Sequence, residues 1–152
     1  IGGIARGEVP LARDGRTRYQ IVTPADATAV DDYAARELSL YLEQITGAVF
    51  PVFAPDAMHE AEPALFIGIS SQSLRHLGPD PLGSLGDQEH VARSIGENVF
   101  LYGKAAHGNL HAVMEFLEHS LGWRWYSVFE APVIPRNPTV VAKSLCLIGL
   151  VL

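Results

Sequence analysis

Residues 64–70, ALFIGIS, are apolar almost throughout. A strand of that kind is covered on both faces, so it belongs inside a sheet with material packed above and below it. Around it the hydrophobic period keeps changing. RYQIVTP (18–24) has the β-branched and aromatic character of a strand and is stopped by Pro24. Beyond the candidate N-caps Asp26 and Thr28, residues Val30, Ala34, Leu38, Tyr41, Leu42 and Ile45 recur at three- and four-residue steps, which predicts an amphipathic helix ended by Gly47. AVFPVFA (48–54) is a second strand, and Pro51 places it at a sheet edge or gives it an irregular start.

The second half repeats the alternation. A short helix is predicted around 73–77, followed by a loop rich in Gly and Pro to Gly86. HVARSIGENVFLYGK (90–104) reads as a hairpin turning at GEN. A second long helix starts near His107, carries the stripe Leu110, Val113, Met114, Leu117 and Leu121, and ends at Gly122. WRWYSV (123–128) is a last strand, before three prolines and an apolar tail. Strands alternating with two long amphipathic helices predict an α/β fold: a mixed β-sheet with two main helices packed on it.

The 152 residues fit one domain better than two, and 48% hydrophobic content is enough for a core. With 11 Lys and Arg against 17 Asp and Glu, the formal charge of -6 offers no footprint for a phosphate backbone, so no nucleic acid partner is expected. The one basic cluster, ARDGRTR (12–18), reads as a solvated turn leading into a strand. A single cysteine, Cys146, excludes an internal disulfide framework, and its apolar surroundings predict a buried thiol. No run reaches the roughly 18 apolar residues of a membrane span. The chain begins at Ile1 rather than Met, as a processed end or a piece of a longer protein does.

Several residues invite a chemical reading. His107, His111, Glu115 and Glu118 fall on one stripe of the second long helix, and an i, i+4 histidine pair is a Zn²⁺ ligand spacing. The stripe lacks the Glu that follows the first His in zinc proteases, and a solvated outer face explains it more simply. GKAAHGN (103–109) offers free amides at a helix start but no phosphate-binding fingerprint, so a tight strand-to-helix turn is expected. Asp31 with Asp32, and Glu115 with Glu118, have the residue type of a glycosidase acid/base pair, yet neither pair shows a converging partner. Trp123 and Trp125 share one side of their strand, as a core wall or domain interface or as a sugar-stacking platform.

The order of these pieces resembles a known family. AARELSLYLEQITG followed by FPV, the IGIS strand, and GNLHAVMEFLEHSLGWRWY are similar to the N-terminal accessory domain of alpha-glucuronidase and beta-hexosaminidase type glycoside hydrolases. The version found in bacterial proteins ahead of an uncharacterised barrel-like domain is especially similar. The resemblance covers about residues 18–128, leaving 1–17 as an N-terminal extension and 129–152 as a Pro-rich linker and apolar tail. It implies a non-catalytic domain with a beta-hexosaminidase N-terminal-domain-like fold, no cofactor, and a catalytic barrel as partner, a barrel for which too few residues follow Trp125. It also suggests a secreted or periplasmic setting. Two departures stand out: His111 replaces a usual aromatic, and the tail is expected either as an added strand or as an edge that pairs with another copy. The competing expectations are a carbohydrate-binding module using Trp123, Trp125, Tyr102 or Tyr126, and a small metal-dependent hydrolase using His107 and His111.

Overall fold

The structure is a computed structural model that describes residues 8–104, 107–122, 134–143 and 146–150. Along the chain the elements are β1 (Glu8–Ala12), β2 (Gln20–Val22), α1 (Ala29–Thr46), β3 (Val52–Phe53), β4 (Ala64–Ile67), α2 (Ser71–Leu77), β5 (Glu89–Ile95), β6 (Asn98–Gly103), α3 (Gly108–Leu121), β7 (Val140–Lys143) and β8 (Cys146–Leu150). Six strands form a mixed sheet in the order β3-β2-β4-β6-β5-β8. Strands β2, β3, β4 and β6 run parallel, while β5 and β8 are antiparallel to their neighbours.

The apolar run at 64–67 is the inner strand β4, buried at every position. Its side chains alternate: Leu65 and Ile67 join the core under α1 and α3, with Leu38, Leu42, Phe116 and Leu117. Ala64 and Phe66 join a second core on the opposite face, with Val22, Phe100 and Tyr102, closed by Leu77 of α2 and by Leu82 and Leu85 of the loop after it. Phe66 and Phe100 are register partners and stack with centroids 5.1 Å apart. The proline in FPVF does end at an edge, since β3 begins one residue after Pro51 and has only β2 beside it.

Local chemistry fixes both long helices. Thr28 caps α1 through a reciprocal box: its hydroxyl accepts from the Asp31 amide at 3.2 Å, and the Asp31 carboxylate accepts from the Thr28 amide at 3.0 Å. Gly47 and Gly122 end α1 and α3 in the left-handed conformation, where a Cβ is disfavoured. The hairpin turns at Gly96–Glu97, with positive φ at the glycine alone, as a type II′ turn requires. Among the described residues no helix is long and apolar enough to cross a membrane.

Both flanks contribute to the fold where an extension and a tail are expected. Within 1–17, β1 pairs antiparallel with β7, and Val9 and Leu11 are fully buried in the core that α1 and α3 share. Pro10 masks this strand in the sequence, but a two-stranded ribbon tolerates proline where a central strand does not. Within 129–152, β8 adds to the sheet beside β5, placing Gly149 opposite His90. The buried thiol is corrected: Cys146 is exposed, together with Ile148 two residues on, because the strand's alternation turns both outward. The strand expected at 123–128 lies outside the described residues.

Candidate functional site

In open α/β sheets, ligands gather at the carboxyl ends of the strands where the strand order reverses. Here the chain leaves β2 for β3 on one side and returns to β4 on the other, so the reversal lies between β2 and β4. That crevice is filled. Pro24 follows β2 and Gly68 follows β4, and a Cβ on Gly68 would lie 2.8 Å from the Asn109 side-chain nitrogen and 3.0 Å from Pro24. Asn109, in the first turn of α3, donates to the Asp31 carboxylate at 2.8 Å and accepts from the Gly103 amide at 3.1 Å. Asp31 is buried, and its other oxygen serves the α1 cap.

The same network settles how β6 passes into α3. Gly103 and Gly108 touch backbone to backbone, since a Cβ on Gly103 would lie 2.6 Å from the Gly108 Cα. The end of β6 and the start of α3 are therefore in direct contact, and the Gly103 amide is already taken by Asn109. His107 stands exposed at the N-cap and makes no capping bond with its side chain.

One turn further, α3 forms a second polar cluster. The His111 ring stacks on that of His90 from β5, with centroids 6.0 Å apart and planes at 28°. His90 is only 5% exposed, and its Nε2 meets the carboxylate of Glu115. With the carboxylate ionised it only accepts, and His90 Nε2 is then the donor of that contact. Its Nδ1 is buried with no hydrogen-bond partner among the described residues. Gly149 completes the arrangement, because a Cβ there would run into both the His90 ring and the Glu115 carboxylate. The cluster borders an open cleft of about 610 Å³, lined also by Met114, Glu118 and His119. Burial, and then the neighbouring His90 and His107, hold the His111 pKa below the usual histidine value.

The stripe read from the helix is thus divided. His107 and Glu118 are exposed, as a solvated face requires, but His111 and Glu115 turn partly under the sheet's end, where β5 supplies His90. Chemically, His90 and Glu115 can hold or pass a proton at the cleft. Among the described residues no three His, Cys, Asp or Glu side chains are placed to hold a metal ion. His90 is the residue that sequence reasoning missed; its signal was an inward position in β5, in step with buried Ala92. Of the aromatic candidates, Tyr102 is corrected: it is 4% exposed within the second core and presents no ring face, and burial raises its pKa. Trp123, Trp125 and Tyr126 lie outside the described residues.

No protein-family model matches the sequence, and no curated protein matches it. Solved structures do. A family GH115 4-O-methyl-alpha-glucuronidase with specificity for decorated arabinogalactans aligns over 92% of this chain, at a TM-score of 0.59 and 14% identity. The GH20 beta-N-acetylhexosaminidase of Streptomyces coelicolor A3(2) aligns over 93%, at 0.56 and 16%. The beta-hexosaminidase of Streptomyces plicatus aligns over 91%, at 0.54 and 15%. This chain spans 18%, 24% and 22% of those chains, under a quarter in each case. At such identities the likeness is one of fold: an α/β, mixed-sheet architecture shared with part of several glycoside hydrolases.

Proposed function

We propose that this chain is a non-catalytic accessory domain of a multidomain, carbohydrate-active protein, where it packs against and positions a catalytic barrel. The observation that carries the proposal is coverage: nearly all of this chain aligns with less than a quarter of each glycoside hydrolase. The rest of those chains has room for separate catalytic machinery. The filled crevice between β2 and β4 supports the same reading. A fold of this class ordinarily receives a ligand there, and here Asn109, Pro24 and the Asp31 carboxylate occupy it with their hydrogen bonds satisfied. The finer assignment, to the alpha-glucuronidase type found in bacteria, rests on the sequence pieces around 34–53 and 108–126.

The proposal is tested by reading the genomic DNA on both sides of the coding segment. An accessory domain requires a barrel encoded in the same frame or in a co-transcribed neighbour that co-purifies with this chain. If neither exists, the packing role fails.

A further inference from the structure

A second concavity lies at the other end of the sheet, beside the amino ends of the parallel strands. It has a volume of about 340 Å³, apolar walls from Pro10, Ala12 and Pro63, and three arginines, Arg13, Arg16 and Arg18. Tyr19, buried just before β2, fixes its floor by donating to the Glu97 carbonyl. Three of the chain's nine arginines meet at this one pocket, in a chain whose net charge is -6.

The three are not equally engaged. Arg18 pairs with Glu62 at 3.0 Å and lies 3.8 Å from Glu97. Arg13 and Arg16 have no carboxylate partner among the described residues. They face each other across a two-residue turn at Asp14–Gly15, whose φ values of 51° and 73° are those of a type I′ turn. Each amide bonds the other's carbonyl, at 2.9 and 3.0 Å, so both side chains leave the ribbon on the same face. Like charges directly opposite each other destabilise a pair of this kind. The turn tip is also held: Gly15 donates to the Pro138 carbonyl at 2.9 Å, and the Asp14 amide to the Thr139 hydroxyl at 3.0 Å. Two arginines without a carboxylate partner among the described residues therefore leave a braced turn on the same face, at an apolar pocket that both line.

We infer that this pocket binds a compact organic carboxylate, whose carboxyl group bridges Arg13 and Arg16 and whose body lies against Pro10, Ala12 and Pro63. The planar guanidinium fork matches a carboxylate in geometry as well as charge. The volume and apolar walls are those of a small-molecule pocket rather than of a bare anion site. The inference uses no residue of the crevice or of the histidine cleft, so it stands or falls apart from the accessory role.

Calorimetric titration of the purified chain tests it, with glucuronate and benzoate as probes and glucose and sulfate as controls. At least one carboxylate saturates with a Kd of about 1 mM or tighter, and glucose does not bind. Arg13→Ala and Arg16→Ala each weaken that binding about tenfold or more, whereas Arg36→Ala on the exposed side of α1 leaves it unchanged. With the repulsion relieved, the Tm of either pocket variant without ligand stays level or rises by about 1 °C. The inference is overturned if neither carboxylate saturates, if sulfate binds as tightly, or if the arginine variants bind normally. A Tm several degrees lower in those variants would also overturn it, by showing that the two arginines already have partners.

Discussion

Helix α3 supports two polar clusters barely a turn apart, and they are built in opposite ways. Asn109 uses both ends of its amide, one on Gly103 and one on Asp31, and Asp31 in turn completes the cap of α1. His90 uses one ring nitrogen on Glu115 and leaves the other buried without a partner among the described residues. A buried polar group with its partners in place adds specificity and roughly 1 kcal/mol per bond, whereas a buried group left open costs about 1–3 kcal/mol. The first cluster therefore serves the fold, since it locks α1, α3 and the ends of β4 and β6 together. The second borders an open cleft and is not optimised for stability alone.

The contrast can be broken by substitution. The largest effect is expected at Gly68: alanine there adds left-handed backbone strain at φ +69° and an overlap with Asn109 and Pro24. Together these predict a loss of about 3 kcal/mol in urea unfolding. A loss under about 1 kcal/mol would mean that the crevice is loosely filled. Next is Asn109→Ala, which strands the Gly103 amide and one Asp31 oxygen; a loss of about 2 kcal/mol is expected.

His90→Leu should fall within about 1 kcal/mol of the parent, because it removes a nitrogen that already lacks a partner and leaves Glu115 free to meet water. A cost equal to that of Asn109→Ala would erase the distinction between the clusters. The smallest effect is on pH dependence. The folded chain disfavours the His111 proton, so the unfolded chain binds it more readily as pH falls through the usual histidine range. Stability from this group is therefore present above that range and declines below it. The groups around it are His90 of β5 and, along its own helix, Glu115, His107 and the cleft-lining Glu118 and His119. Thermal melts between pH 7 and pH 5 should show the Tm falling, with a shallower slope in His111→Gln.

Most of the architecture was legible in the sequence because it is carried by local period. The helix stripes, the buried run ALFI and the hairpin at GEN each express burial as a repeat along the chain. β1 was not legible, and β8 only as one of two expected outcomes for the tail, for the same reason in reverse. β1 is five residues long with a proline inside it, and the apolar tail gives no period to say that Cys146 and Ile148 face outward. The cleft was half legible: i, i+4 spacing placed His111 beside Glu115, but His90 joins them only through the packing of β5 against α3. The need for glycine at 149 follows from the register of β8 on β5, which no local pattern encodes.

We propose that this domain supports catalysis elsewhere without performing it, and among the described residues His90 with Glu115 is an arrangement able to hold or pass a proton at an open cleft. The direct test is hydrolysis of aryl beta-N-acetylglucosaminide and aryl alpha-glucuronide by the purified chain, with Glu115→Gln alongside. The account predicts that the two proteins release no aglycone above the buffer blank. Turnover by the parent chain that disappears in Glu115→Gln would contradict it and make the cleft an active site.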